Sequence, residues 1–274
     1  MSNSPVTSPA AAQDGARPLA GRHAVVTGGS RGIGLAIAQR LAALGASVSL
    51  VGRDRDRLEA ARGQLPAGTD CATRVCDVAD ARSVEEAFAS LVRDGRSVAI
   101  LVNNAGVAES AKLAATDDAL WQRMITTNLT GTFLCTRAAL PMLLAAPAGR
   151  VVNVASTAGL VGYPYVAAYC AAKHGVVGLT RALALELART RVTVNAVCPG
   201  YTDTGLVDEA IGNIVRSTGR SAAEARAAIV GRNPQARLVT PDEVASAVAW
   251  LCLPESQSVT GQAIAVAGGE VSSR

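Results

Sequence analysis

Tyr169 and Lys173 stand four residues apart in the stretch AYCAAKHG. On a helix that spacing stacks two side chains on one face, a turn apart. A phenol titrates near ~10, so at neutral pH it is a weak base and a reluctant acid. A neighbouring ammonium favours the phenolate and lowers that value. Proton transfer is most efficient when the titration point lies near the working pH. The pair therefore has what a proton-transferring tyrosine needs, although Y-x-x-x-K by itself fits an ordinary helix surface equally well.

A second stretch, TGGSRGIG from Thr27 to Gly34, follows the apolar run HAVV and opens a helical pattern. A helix N-terminus presents free N–H groups and a positive dipole, so it attracts phosphate. Glycines let the backbone turn sharply and approach a ligand closely. Arg31 adds a cation that a plain turn does not require. One strand further on, LVGRDRDR puts Arg53 where NAD-binding folds often hold a carboxylate for the ribose 2′-hydroxyl. A guanidinium there meets a 2′-phosphate. Asp54, the next residue, reads as a helix N-cap that points away. Arg31 and Arg53 together favour NADPH, with NADH the less favoured cofactor.

The elements that hold these groups alternate. Apolar β-rich runs at 23–27, 47–51, 71–76, 98–104, 150–156, 191–197 and 263–268 are separated by helical patterns at 34–45, 54–65, 83–94, 117–145, 168–188 and 241–252, with a polar helical insertion near 205–231. Strand–helix alternation argues for a parallel sheet with helices on both faces. Unbroken apolar strands fit a sheet covered on both sides. The expected fold is α/β, a single Rossmann-type doubly wound domain of about seven strands over residues 21–274. The first 20 residues, rich in Ser, Pro and Ala, read as a disordered tail. In such sheets ligands bind outside the carboxyl ends of the strands. TGGSRGIG, Arg53, NNAG (103–106) and Ser156 all fall there.

Composition excludes several classes. The net charge is only +4 and no dense Lys/Arg stripe occurs, so a nucleic-acid partner is not expected. The six cysteines are scattered, and the C-x4-C at Cys71 and Cys76 is not a zinc pattern, so no metal is called for. They read as reduced thiols of a cytoplasmic protein. The N-terminus lacks the basic start and apolar centre of a signal peptide. No segment approaches the ~20 apolar residues of a membrane span.

Taken jointly, TGGSRGIG, NNAG, Asn128 in TTNLTG, Ser156 in VNVAS, YCAAK and CPGYTDT occur in the order and spacing of the short-chain dehydrogenases/reductases, which the chain resembles over roughly residues 20–270. The resemblance implies roles. Tyr169 is the acid/base, and Ser156 hydrogen-bonds the substrate carbonyl oxygen. Lys173 holds the nicotinamide ribose and lowers the titration point of Tyr169. Asn128 holds a water that links Lys173 to solvent. Gly28, Ser30, Arg31 and Ile33, with Gly32 and Gly34 in the same turn, line the pyrophosphate and adenosine end of the cofactor. Asp77 and Val78 contact adenine, and Asn104, Ala105 and Gly106 pack beside the adenosine. Pro199, Gly200, Thr202 and Thr204 contact the nicotinamide end. Hydride lands on a carbonyl carbon while Ser156 and Tyr169 donate to the charge that builds on the oxygen.

The substrate is less sharply written. TAGLVGYPYVAAY (157–169), with Tyr163 and Tyr165, reads as one pocket wall, and 205–238 as a helical lid. The lid arginines Arg216, Arg220, Arg226, Arg232 and Arg237 form either a solvated helix face or an entrance for an anionic handle, such as the phosphates of coenzyme A or of an acyl-carrier phosphopantetheine. The stretches around 173–200 are similar to those of 3-oxoacyl-thioester and polyketide ketoreductases, and that around 236–269 to bacterial members acting on 3-oxoacyl thioesters and 3-hydroxybutyrate. A 3-oxoacyl-CoA or acyl-carrier-protein reductase is the expectation, with an alicyclic alcohol, sugar or steroid dehydrogenase as the alternative. A non-catalytic NADP-binding regulator on the same fold is the reading from another class. The intact set of Ser156, Asn128, Tyr169 and Lys173 argues against it. The resemblance also implies a homotetramer, consistent with the stretches 131–145 and 176–188, which are apolar over more than one helical stripe.

Replacing Arg53 by Asp should move preference from NADPH toward NADH. A charge-assisted contact contributes about 1.5–3 kcal/mol, so kcat/KM with NADPH should fall about tenfold or more. Steady-state kinetics with both cofactors checks this, and an unchanged ratio would leave Arg53 a surface residue.

Overall fold

The computed structural model describes residues 17–271. The apolar runs form seven strands: β1 (His23–Thr27), β2 (Ser47–Gly52), β3 (Cys71–Val75), β4 (Val98–Asn103), β5 (Arg150–Val154), β6 (Thr193–Pro199) and β7 (Ala263–Val266). They build one sheet in the order β3-β2-β1-β4-β5-β6-β7. Every neighbouring pair is parallel. The chain order reverses between β1 and β4, the place where doubly wound sheets open a crevice at their carboxyl edge.

Nine α-helices cover the sheet among the described residues: α1 (Gly32–Ala43), α2 (Arg55–Arg62), α3 (Ala81–Arg93), α4 (Asp118–Ile125), α5 (Gly131–Ala145), α6 (Ala167–Glu186), α7 (Gly205–Thr218), α8 (Ala222–Val230) and α9 (Pro241–Cys252). Successive strand residues face opposite sides. Val26 and Leu50 pack with Ile37 and Leu41 of α1 and Val248 and Leu251 of α9. Val25, Leu101 and Val151 pack on the other side with Phe88, Leu91 and Leu143. Local signals start several helices. Asp54 caps α2 by accepting from the Arg57 amide. Thr240 and Glu243 form a capping box with Pro241 at the first turn of α9. No helix among the described residues is long and apolar enough to cross a membrane.

Four sequence expectations change. The stretch 117–145 is not one regular helix, because a π-helical turn at Thr126–Thr130 separates α4 from α5. β5 ends at Val154, so Ser156 lies two residues beyond the strand. The insertion is two helices, broken where Gly219 adopts φ 71°, and its feet are joined by a bridge between Thr202 and Val239. The tail does not run to residue 20. Residues 1–16 lie outside the described residues, but Leu19 is fully buried in the α1 side of the core, and its amide donates to Leu44 O at 3.0 Å. An apolar side chain with a gap beneath α1 to fill overrides the composition of its neighbours.

Leu19→Ala should destabilise the protein by about 2–5 kcal/mol, as truncation of a fully buried leucine does. Urea unfolding against wild type checks it, and a change below ~0.5 kcal/mol would return Leu19 to the surface class.

Candidate active site

The turn after β1 is locked to the end of β4. The Asn104 side-chain amide donates to Thr27 O at 3.0 Å and Gly28 O at 3.2 Å. Thr27 Oγ1 accepts from the Asn104 and Ala105 amides, both at 3.0 Å. This approach explains two glycines. Gly28 has φ +63°, and a Cβ there would stand 2.9 Å from Asn104 Nδ2; a Cβ on Gly34 would overlap the Gly28 carbonyl oxygen. α1 then begins with no side-chain cap. Its first amides are left for a ligand, as in other phosphate-binding helix ends.

The two arginines are exposed, and among the described residues neither side chain has a hydrogen-bond or ion-pair partner. Arg31 Nη1 lies beside Gly205 at the start of α7, 3.7 Å from where a Cβ would be. Arg53 directly follows β2. Asp54 is engaged with Arg57 of α2, 3.1 Å from its Nε. Ser30 Oγ sits by Gly52 at the end of β2. Asp77 accepts from the Ala79 amide at 2.9 Å. Val78 packs so closely on α5 that a Cβ on Gly131 would come within 2.9 Å of it. Between them Thr27, Val78, Asn103, Ala105, Gly131 and Thr132 line a narrow, tightly closed crevice at the β1/β4 switch point. A larger surface groove, of about 480 Å³ between α1, α9 and residues 64–66, shares no residue with it. Pro199, which ends β6, and Thr202 are buried, and Gly200 and Thr204 after the strand are half-buried.

α6 delivers Tyr169 and Lys173 to the same edge. Lys173 is buried, and its Nζ donates to Val154 O at 2.9 Å. It lies 5.7 Å from the centre of the Tyr169 ring. Ser156 is extended (φ −177°), and its hydroxyl accepts from the Ala158 amide at 3.1 Å. Burial pushes the Tyr169 phenol up to about 12, with a hydrogen bond from Ser156 acting in the opposite sense. Burial pulls Lys173 down to about 8. The expected lowering of Tyr169 by Lys173 is therefore corrected: the ammonium is directed at a carbonyl, its own charged form is disfavoured, and desolvation dominates at the phenol.

Asn128 sits in the π-helical turn, fully buried. Its amide donates to Val107 O and Met124 O, both at 2.9 Å, and its Oδ1 accepts from the Val107 amide at 3.2 Å. A water held by this side chain would rest on the remaining Oδ1 lone pair. A Cβ on Gly106 would stand 2.7 Å from Asn128 Oδ1 and 3.7 Å from Lys173 Nζ, so these three residues converge. The residues singled out from sequence thus gather at the carboxyl edge of the sheet, although Arg31 and Arg53 reach it from different elements.

Nearby, sequence reasoning missed Glu270, Tyr201 and the way Tyr163 and Arg232 pair. Tyr163 OH donates to Glu270 Oε1 at 2.8 Å, across 107 positions. The Arg232 guanidinium covers the Tyr163 ring at 5.1 Å. Tyr201 lies close enough to Tyr169 to act on its charge. The clustered tyrosines were the only local signal, and nothing local marks Glu270. Tyr165 is 61% exposed with φ 69°. Among the lid arginines, Arg237 holds Glu243 through two contacts of 2.8 and 2.6 Å. Arg226 stands 3.9 Å from Asp203, and Arg216 is held by Asn213. These three are engaged on the protein's own surface.

The comparisons with known proteins agree with this geometry. A family profile described as short chain dehydrogenase matches residues 22–213. The chain is 43% identical over 272 residues to granaticin polyketide synthase putative ketoacyl reductase 1 of Streptomyces violaceoruber, covering 98% of each. It is 38% identical over 255 residues to D-beta-hydroxybutyrate dehydrogenase of Cupriavidus necator, covering 92% of this chain and 99% of that one. The crystal structure of a single-substitution variant of actinorhodin polyketide ketoreductase with NADPH matches with a TM-score of 0.87 and 42% identity, over 91% of this chain and 97% of that one. The chain belongs to the short-chain dehydrogenase family. It is an NAD(P)-dependent oxidoreductase that interconverts a ketone and a secondary alcohol.

The titration of Lys173 has a consequence for stability. Between about pH 8, its folded value, and ~10.4, the ordinary lysine value, the unfolded chain holds the proton and the folded chain does not. The unfolding free energy contributed by this group therefore rises with pH across that window, by up to about 1.4 kcal/mol per unit. Lys173→Met should lack that rise. Urea unfolding of both proteins at pH 8, 9 and 10 checks it: parallel curves would place Lys173 outside the buried environment described.

Proposed function

We propose that the protein is an NADPH-dependent ketoreductase of 3-oxoacyl thioesters carried on coenzyme A or an acyl-carrier protein. The observation that carries the reaction is the convergence of Ser156, Tyr169 and Lys173 at the carboxyl edge, with the phenol held protonated at neutral pH. The thioester is supported by likeness to a putative ketoacyl reductase over 98% of the chain.

The residues fit the cofactor. The uncapped start of α1, at Gly32, Ile33 and Gly34, with Gly28 and Ser30 in the turn, would receive the pyrophosphate. Arg53, exposed and without a protein partner just after β2, would meet a 2′-phosphate, and Arg31 is a second unpartnered cation, beside the start of α7. Asp77 and Val78 would hold the adenine, Asn104, Ala105 and Gly106 the adenosine side, and Pro199, Gly200, Thr202 and Thr204 the nicotinamide end. When bound, NADPH supplies the hydride.

Every other step belongs to the chain. Ser156 donates a hydrogen bond to the substrate carbonyl oxygen, and Tyr169 gives it a proton. Both donors are fixed before the charge develops, so they stabilise it without reorganising. Lys173, pulled down to about 8, populates both protonation states near neutral pH and can return a proton to Tyr169. Asn128, beside Gly106 and Lys173, connects that proton to solvent through a water.

The same reading makes the protein a cytoplasmic homotetramer. All six cysteines are free and buried. Phe133 and Leu144 on α5, Leu185 on α6 (81% exposed) and Trp250 on α9 present apolar surface. β7 is a half-exposed sheet edge. Apolar helix faces and sheet edges of this kind need cover, and closed symmetry supplies it.

Tyr169→Phe keeps the ring but removes the proton donor. Turnover of a 3-oxoacyl thioester with NADPH should fall below ~1% of wild type, within the range of lost acid–base catalysis, while NADPH still quenches or enhances fluorescence as in wild type. A variant with wild-type turnover would remove Tyr169 from the reaction. A panel adding sugars and alicyclic ketones assigns the substrate: highest kcat/KM on one of those would overturn the thioester.

A further inference from the structure

We infer that Glu270 is a positioning residue for the substrate pocket, holding the loop between Ser156 and Tyr169 in place through Tyr163. The inference rests on Ser156 and Tyr169 being the reacting pair.

Three separate parts of the chain meet at Tyr163. From the C-terminal segment, Glu270 Oε1 accepts its phenol proton at 2.8 Å. From the end of the lid, the Arg232 guanidinium covers its ring at 5.1 Å. From its own loop, Thr157, one residue past Ser156, lies close enough to act on the titration of the phenol. The other carboxylate oxygen of Glu270 is also placed. It sits 2.9 Å from where a Cβ on Gly200 would be, so the carboxylate is wedged against the backbone after β6. The segment that carries Glu270 is itself seated on the lid: Gly268 (φ +59°) leaves no room for a Cβ beside the Asn233 side chain. Asn233 is buried, donates to Arg237 O at 2.8 Å and accepts from the Gln235 amide at 2.8 Å. Glu270 thus stands on a tightly packed base and reaches across to the loop after Ser156.

That loop needs holding. It spans the residues between Ser156 and α6, and Tyr165 within it takes φ 69°, a conformation that costs an L-residue energy. Its second tie is the Tyr165 carbonyl, which accepts from the Ala111 amide at 2.8 Å. Between the two ties the loop forms a wall of the pocket. A phenol–carboxylate contact is charge-assisted and stronger than a neutral one. Tyr163 keeps its proton well above neutral pH, since burial pushes the phenol up to about 12. The clamp therefore persists throughout the working range while the acid at Tyr169 turns over.

The test uses Tyr163→Phe, Glu270→Ala, Glu270→Gln and the double variant Tyr163→Phe/Glu270→Ala in the full chain. KM for the ketone should rise about tenfold in Tyr163→Phe and Glu270→Ala, the size expected for a lost hydrogen bond to a charged group. kcat should change less, and the NADPH dissociation constant should stay near wild type. The double variant should be no worse than the weaker single, because both remove one contact. Glu270→Gln, which keeps an acceptor, should recover most of the loss. Amide exchange of the cofactor-free protein should quicken over 157–166 in Tyr163→Phe and Glu270→Ala. Additive singles, an equal loss of NADPH affinity, or unchanged exchange in Tyr163→Phe would each overturn the inference. If wild type reduces no ketone, the proposed function fails, and the exchange data still decide the role of Glu270. If Glu270→Ala does not fold, Tyr163→Phe decides alone.

Discussion

The side chain of Asn104 bridges the ends of β1 and β4 by donating to two successive carbonyls of the glycine turn. Those two strands flank the point where the sheet reverses its order. The bridge draws the turn so close to β4 that Gly28 and Gly34 have no space for a Cβ. It also aims the next residues of the chain. Beyond Asn104, Gly106 runs directly against Asn128 and toward Lys173. One amide thus ties the turn before the uncapped start of α1 to the place where Gly106, Asn128 and Lys173 converge. The glycines of the turn serve the protein's own packing as much as a ligand.

Desolvation, more than pairing, sets the proton chemistry. The phenol of Tyr169 rises to about 12 and the amine of Lys173 falls to about 8, so burial moves the two toward their neutral forms. A neutral phenol is a donor at physiological pH, which is what reduction of a carbonyl asks of it. The Lys173 amine, fixed by the Val154 carbonyl, is then a group that can hold or release a proton near neutrality. The charge repulsion or attraction between the pair, the effect most evident from their spacing, is the smaller influence in the cofactor-free protein.

The pocket rim has a different construction. Its base is local and tightly packed, as Asn233 shows against Gly268. Its contacts with the loop after β5 are few, polar and long-range. Such contacts depend on single residues far apart in the chain rather than on the sheet itself. This fits a family in which ketoacyl reductases and a hydroxybutyrate dehydrogenase share the fold.

The sequence by itself determined the elements and singled out residues that the fold brings to one edge of the sheet. Strands buried on both faces must be unbroken apolar runs, and caps such as Asp54 and Thr240 act within three residues, so both are visible in a linear string. Tyr169 and Lys173 were legible because four residues is one helical turn. The π turn around Asn128 was not, since a shift of one hydrogen-bond register over five residues barely alters the side-chain period. Leu19 looked like linker because its neighbours are small and polar, and only the gap under α1 makes it core. Titration directions depend on what surrounds a group in space, and Glu270 reaches Tyr163, 107 positions away, only once the chain between them has folded. Short-range periodicity and capping belong to the chain, whereas burial and long-range contact exist only after the sheet has closed around them.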